Sequence, residues 1–247
     1  EDKWNPTPFC DGVGGPGELA APVDRGLTTT REAGALRIPP IRFLDAGEAL
    51  PRQAARQILG LDARRPAVLL QLGSGNNFDL GGPTATVFDM ADPVVGNREG
   101  QVVLARWRIT EKSAALPPHI HVLDAFPISR YLAAFDCAVA TAGYNTFHEN
   151  IAAGLPTLFV PNDHPEQDEQ WLRAEYAAPW ARADAPYRFR REFERLLEPQ
   201  TRARLAAACA AAAPRNGAAR AADFLHGLAL TRKRSPLAFR PAGGAAR

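Results

Sequence analysis

Five short apolar runs, separated by helix-like stretches, constrain the fold more than any other feature of this sequence. The first run, at 67–72, is apolar at nearly every position, as expected of a parallel strand that is covered on both faces. The other runs lie at 101–107, 119–123, 136–141 and 157–160. Strands that alternate with helices form βαβ units. The sequence therefore predicts an α/β fold, with a mostly parallel sheet and helices on both faces.

The rest of the chain divides by its periodicity and its content of proline and glycine. We expect helices at 47–59, 83–95, 128–134, 146–153, 168–176, 188–197, 201–213 and 218–230. Residues 1–33 are dense in proline and glycine, which predicts a linker or the remnant of a preceding domain. Residues 34–230 form the α/β domain, and the basic stretch 231–247 predicts a disordered tail. Because the chain begins with Glu1 instead of Met, we expect it to be processed or part of something larger.

Charge, cysteine content and hydropathy narrow the class of protein. A net charge of +2 does not indicate a nucleic-acid-binding protein. Three scattered cysteines are too few for a disulfide framework or a zinc site, which is typical of a reducing cytoplasm. No apolar run approaches the roughly 20 residues of a membrane span, and the N-terminal region lacks the layout of a signal peptide. We therefore expect a cytoplasmic protein without a membrane span or a nucleic-acid partner.

Polar turns follow four of the five predicted strands, at 73–77, 124–127, 142–146 and 161–164. The carboxyl ends of parallel strands meet at one edge of the sheet, where α/β proteins bind their ligands. The first turn lacks the third glycine of a dinucleotide fingerprint and the lysine of a phosphate loop. These absences argue against a nicotinamide-dependent enzyme and a P-loop ATPase.

The turn at 142–146 predicts an anion site. Gly143 stands between a strand end and a helix start, which aims unpaired N–H groups and a helix dipole at one point. A pyrophosphate fits there without a metal ion. Glu149, three residues after Thr146, could accept two hydrogen bonds from a ribose diol, but the same spacing forms a capping box. Spacing alone leaves both interpretations of Glu149 open.

Other polar side chains have more ordinary explanations. His119 and His121 share one face of a strand, but without a third ligand they predict surface or half-buried histidines instead of a metal site. His148 and His164 lie where a phosphate or sugar could bind, although solvated side chains are the simpler expectation. The acidic residues of 168–170 either stabilise a helix start or bind sugar hydroxyls. No Gly-x-Ser-x-Gly elbow is present to support a serine nucleophile.

The segments 68–75, 121–161 and 168–174 together resemble the C-terminal, donor-binding half of GT-B glycosyltransferases. They are most similar to the bacterial group related to the GlcNAc transferase of peptidoglycan synthesis. Five features occur in the family's order: a glycine-rich turn, a hydrophobic-Pro turn, Gly-x-x-Thr-x-x-Glu, Gly-x-Pro-x-x-x-x-Pro and an acid–Gln pair. The resemblance implies a Rossmann-like sheet.

The resemblance also implies roles for individual residues of this sequence. Gly73 and Ser74 would face the diphosphate or the acceptor, and Phe126 would hold the base through its backbone. Gly143, Asn145 and Thr146 would bind the diphosphate, Glu149 the ribose hydroxyls, and Glu169 and Gln170 the donor sugar. These assignments are expectations carried by matching positions in the motifs.

The function that the resemblance implies is transfer of a hexosyl or N-acetylhexosaminyl group from a UDP-type nucleotide sugar, with inversion. We expect neither a bound metal nor a cofactor beyond this donor substrate. The family places the acceptor site and the catalytic base in an N-terminal domain, so we assign no catalytic residue and expect such a domain or a separate partner chain. Peripheral membrane association is compatible with this function. The alternatives are a non-catalytic nucleotide-sugar-binding subunit and, more weakly, a nucleotide-sugar epimerase or hydrolase.

Overall fold

The computed structural model describes residues 38–73, 87, 91, 95–96, 100–105, 120–162, 170–177, 179, 181, 185–213 and 215–232. Within these residues, five parallel strands form one sheet: β1 (Ala67–Gln71), β2 (Gln101–Ala105), β3 (His121–Leu123), β4 (Cys137–Ala140) and β5 (Thr157–Phe159). The strand order is β3-β2-β1-β4-β5. All five apolar runs therefore form strands, and the predicted parallel α/β sheet is confirmed.

The register places the carboxyl ends of three strands at the same level. Gln71 at the end of β1 pairs with Ala140 at the end of β4, which pairs with Phe159 at the end of β5. Every residue of β1 and β4 is buried, as their unbroken apolar runs predict. The turns that follow these strands consequently share one edge of the sheet.

The described helices are α1 (Arg52–Ile58), α2 (Tyr144–Ala152), α3 (Gln170–Ala177), α4 (Pro186–Leu196), α5 (Pro199–Ala212) and α6 (Ala218–Arg232). Two 3-10 helices span Ala46–Glu48 and Ile128–Ala134. The helix predicted at 47–59 is wrong in its first part, because Ala49 and Pro51 are extended and the α-helix begins only after the proline. The helix predicted at 83–95 lies mostly outside the described residues.

Helices cover both faces of the sheet, as predicted. On one face, Val68 and Leu70 of β1 belong to a core cluster with Phe189 and Phe193 of α4. On the other face, Leu69 packs in a cluster with side chains of α1 and of the second 3-10 helix. A third cluster joins α2 and α3 to the carboxyl ends of β4 and β5. Both helices are thereby fixed beside the ends of these two strands.

Residues 38–45, called here the leading segment, lie against the turn before α6. The amide of Gly217 donates to the carbonyl of Pro40 at 3.0 Å. A Cβ atom on Gly217 would lie 1.9 Å from the carbonyl oxygen of Pro39, so only glycine allows this approach. Asn216 accepts from the amide of Arg42 at 3.0 Å and donates to its carbonyl at 3.2 Å. These contacts hold Arg42 in a defined position.

The described residues cover only part of the regions predicted to flank the domain. The predicted linker at 1–33 and residues 233–247 of the predicted tail lie outside the described residues. Residues 231–232, predicted to belong to the tail, instead complete α6, which continues to Arg232. None of the helices in the described part of the chain has the length and hydropathy to cross a membrane.

Candidate functional site

The N-terminus of α2 lies at the carboxyl edge of the sheet and has the form of an anion site. β4 ends at Ala140, and α2 begins at Tyr144 with Gly143 as its N-cap residue. The first N–H groups of a helix have no intrahelical acceptors, and glycine has no side chain to accept from them. Asn145 is exposed in this first turn, and Thr146 is half-buried. The helix dipole and these N–H groups favour a negative charge here.

The position of this helix start excludes the capping-box interpretation of Thr146 and Glu149. A capping box requires Thr146 to be the N-cap residue, but Gly143 holds that place and Thr146 is the third residue of the helix. Thr146 and Glu149 therefore both lie inside α2. Their side chains are not engaged in a capping box at its start.

Glu149 lies one turn further along α2 and is held by the leading segment. Its half-buried carboxylate accepts a hydrogen bond from the backbone N–H of Phe43, and the Arg42 guanidinium is close enough to interact electrostatically. Burial raises the pKa of Glu149, while the Phe43 N–H and Arg42 act in the opposite direction. An ionised carboxylate has about four lone-pair sites, so the Phe43 bond leaves capacity for further donors.

Two exposed aromatic rings contact each other here, and one of them belongs to Phe43, whose backbone N–H binds Glu149. Phe126 follows β3, and its ring packs edge-to-face against Phe43, with a centroid distance of 5.2 Å and an interplanar angle of 77°. Phe43 is 61% exposed and Phe126 is 54% exposed. The predicted base-binding residue and the predicted ribose-binding residue are therefore connected through Phe43.

The first residues of α3 pack against the turn before α2. Gln170 is buried, and its Oε1 accepts from the amide of Asn162 at 3.1 Å. Its Nε2 lies 4.0 Å from the place that a Cβ atom on Gly143 would occupy. Arg173, one turn later and fully buried, donates from Nε to the carbonyl of Ala142 at 2.6 Å. These contacts bring Gln170 beside the anion site and add a buried cation behind it.

His148 is not solvated, so the simpler expectation for this residue is wrong. Its ring is 1% exposed and packs edge-to-face against Tyr144 and Phe147, at centroid distances of 4.5 and 5.1 Å. Burial and the nearby charges of Arg173 and Arg42 lower the pKa of His148 to about 3. The imidazole is therefore neutral at physiological pH.

The structure gathers most of the predicted site at one edge of the sheet. Gly143, Asn145, Thr146, Glu149, Phe126 and Gln170 lie there together with the leading segment. Gly73 follows β1 and begins the predicted turn at 73–77 with a φ of 85°, a left-handed conformation that favours glycine. Ser74, Glu169, His119 and His164 are outside the described residues. His121 is exposed, as predicted.

Sequence reasoning missed three residues of this site: Arg42, Phe43 and Arg173. Arg42 and Phe43 precede Glu149 by about half the length of the domain, and no local pattern relates them to it. Arg173 could have been found, since it lies three residues after Gln170 and therefore on the same face of α3.

Comparison with known proteins adds sequence relatives to this geometry. No family model matches the chain. The chain is 30% identical to the UDP-N-acetylglucosamine--N-acetylmuramyl-(pentapeptide) pyrophosphoryl-undecaprenol N-acetylglucosamine transferase of Sorangium cellulosum, over 92% of this chain and 60% of that protein. It is 28% identical to the protein of the same name from Clavibacter michiganensis, over 78% of this chain and 53% of that protein. The chain thus spans less than two thirds of the length of these curated relatives.

Solved structures show the same fold. The chain matches the crystal structure of Acinetobacter baumannii MurG with a TM-score of 0.53 and 18% identity, over 79% of this chain and 57% of MurG. It matches the spinosyn rhamnosyltransferase SpnG with a TM-score of 0.55 and 14% identity, over 81% of this chain and 53% of SpnG. The predicted resemblance to the C-terminal domain of GT-B glycosyltransferases is confirmed, and the curated relatives are glycosyltransferases.

Proposed function

We propose that this chain is the donor-binding part of a glycosyltransferase and binds a UDP-type nucleotide sugar along α2. Two features on this one helix support the proposal. An anion site lies at its N-terminus, and Glu149 lies six residues after the N-cap Gly143, about 9 Å along the axis at 1.5 Å per residue. A nucleoside diphosphate has the matching order of groups, with phosphates next to a ribose diol.

The same geometry supports a role in the transfer step. As the glycosidic bond to the donor sugar breaks, negative charge builds up on the departing diphosphate. The first-turn N–H groups and the dipole of α2 stabilise that charge without having to reorganise. Gln170 lies beside this turn and is the candidate for a contact with the donor sugar. We propose transfer of a hexosyl or N-acetylhexosaminyl group with inversion and without a bound metal or cofactor.

We place the acceptor site outside the donor-binding part of the enzyme. The curated relatives are longer than this chain, and their names describe transfer of N-acetylglucosamine to N-acetylmuramyl-(pentapeptide) pyrophosphoryl-undecaprenol. An N-terminal acceptor-binding domain, or a separate partner chain, would supply the acceptor site and the catalytic base. A lipid-linked acceptor would bring the protein to the cytoplasmic face of a membrane as a peripheral protein.

An exposed helix supports the second candidate, a nucleotide-sugar-binding subunit that depends on a partner. Phe224, Leu225 and Leu230 of α6 are 45%, 64% and 53% exposed. Apolar side chains of this size, grouped on one helix, favour contact with another protein surface. Transferase activity of the chain alone would exclude this candidate, and release of free UDP from UDP-sugar without an acceptor would favour a hydrolase.

Calorimetric titration with UDP, TDP and GDP tests the proposal. We expect UDP to bind with one-to-one stoichiometry and Glu149→Gln to weaken binding by about 10-fold or more, because a hydrogen bond to a charged group contributes about 1.5–3 kcal/mol. Glu194→Gln, a change at a half-buried glutamate of α4 that pairs with Arg190, is the matched control and should bind like the parent. Failure of all three nucleotides to bind would contradict the donor site.

A further inference from the structure

We infer that the ring of Phe43 forms one wall of the nucleobase pocket, so that the leading segment helps to determine how tightly the base is held. This inference rests on the proposed function, since it concerns the nucleoside end of the same site. It assigns a ligand-contacting role to a residue that lies outside all the motifs of the sheet edge.

Phe43 is positioned at the ribose end of the proposed site. Phe43 donates its backbone N–H to the carboxylate of Glu149, so the two residues are in direct contact. A ribose diol that binds this carboxylate carries its base only a few bonds away. The base must therefore lie within reach of the side chains that surround Glu149, and the ring of Phe43 is attached to the residue that makes this contact.

The rings of Phe43 and Phe126 form a surface that suits a nucleobase. The edge-to-face arrangement of Phe43 and Phe126 uses the edge of one ring and one face of the other. It leaves ring faces open to solvent, in agreement with exposures of 61% for Phe43 and 54% for Phe126. Nucleobases stack on aromatic faces. A base can therefore stack on one ring while its edge meets the other.

The leading segment is held in place by contacts with the rest of the domain. The two hydrogen bonds between Arg42 and Asn216 and the close contact of Pro39 with Gly217 hold the leading segment against the turn before α6. Phe43 follows Arg42 directly and is tied to Glu149 through its own N–H. Its position is defined before any ligand arrives, so little conformational freedom is lost on binding.

The test compares ligands with and without a base on variants of this one side chain. The variants are Phe43→Ala, Phe43→Leu, which keeps apolar bulk but no π face, and Phe43→Trp, which keeps an aromatic face. Ile41→Ala is the matched control, since Ile41 lies two residues earlier in the same segment and is 44% exposed. The backbone N–H that binds Glu149 is unchanged in all of them.

Dissociation constants are measured for UDP by calorimetry and for pyrophosphate by competition, with thermal unfolding as a check on folding. We expect Phe43→Ala and Phe43→Leu to weaken UDP binding by about 5- to 50-fold and to leave pyrophosphate binding unchanged, as base stacking on aromatic rings predicts. Phe43→Trp and Ile41→Ala should bind UDP within about 3-fold of the parent.

Equal UDP affinity in the parent, Phe43→Ala and Phe43→Leu would overturn this inference and leave the proposed function intact. Equal losses for UDP and pyrophosphate would also overturn it, because the ring would then act on the whole site instead of on the base. A parent chain that binds none of the nucleoside diphosphates would overturn the proposed function and this inference with it.

Discussion

At the scale of single residues, Glu149 combines partial burial with stabilising contacts from the leading segment. Burial disfavours its ionised form and raises its pKa, whereas the N–H of Phe43 and the charge of Arg42 favour ionisation. Since the folded protein holds this proton to a higher pH than an exposed glutamate does, the ionised carboxylate costs stability above its pKa. In the proposed complex, a ribose diol would donate two hydrogen bonds to that ionised form and so offset this cost.

The affinity for UDP should consequently depend on the protonation of Glu149. We expect binding to weaken as the pH falls through the raised pKa of this carboxylate, starting at a higher pH than an exposed glutamate would give. Calorimetric titrations of the parent and Glu149→Gln between about pH 7.5 and pH 4.5 measure this, because the variant retains every titrating group, on protein and ligand, except Glu149. Identical pH profiles for the two proteins would count against ribose binding by Glu149.

Arg173 supports the turn before α2 from the protein interior. Its Nε donates to the carbonyl of Ala142 from a fully buried position under the turn before α2. Arg173→Met should lower the free energy of unfolding by about 1–3 kcal/mol, because the carbonyl is left buried without this donor. It should also weaken pyrophosphate binding, because the charge behind the anion site is lost.

Urea denaturation measures the stability of this variant, and competition with pyrophosphate measures the site. Arg190→Met is the control, since the Arg190 side chain is 68% exposed and pairs with Glu194 one turn further along α4. An Arg173→Met protein as stable as this control would show that the buried hydrogen bond contributes little.

At the scale of secondary structure elements, Gly217 allows the leading segment to pack closely against the turn before α6, and this packing positions the residues that contact Glu149. Gly217→Ala places a Cβ atom against the backbone of Pro39, which neither residue can relieve by a side-chain movement. We expect this change to displace the leading segment, weaken UDP binding by about 10-fold through Phe43 and Glu149, and lower stability by about 1–3 kcal/mol. Gly227→Ala, in the same helix and with open space around its Cβ position, is the matched control.

The elements also show which parts of the fold follow from the sequence. β1 and β4 are buried on both faces, so their residues must be apolar almost without interruption, and the runs identify them directly. Helix starts were harder to predict. The Thr146 to Glu149 spacing fits a capping box, but packing of Phe147 and Ile151 in the core and the early turn after β4 start α2 at Tyr144 instead. The period of 128–134 did not distinguish an α-helix from the 3-10 helix that forms.

At the scale of the whole molecule, the site combines residues that the sequence could relate and residues that it could not. Gly143, Asn145, Thr146 and Glu149 were predicted together because they lie in one short motif, to which the family resemblance gives these roles. Phe43 was missed because its contact with Glu149 depends on how the leading segment docks on the turn before α6. His148 was judged solvated from its polarity, although its place between Phe147 and Ile151 on α2 puts it on the buried face.

The central claim is that one nucleoside diphosphate lies along α2, with its diphosphate at the helix start and its ribose at Glu149. Backbone amide chemical shifts, recorded by NMR during titration with UDP, test this most directly, since they report position as well as affinity. We predict that the largest changes occur at the amides of Tyr144, Asn145 and Thr146 and at the amide of Phe43, and that they saturate together. Saturable changes confined to other parts of the chain, with these four amides unmoved, would contradict the account.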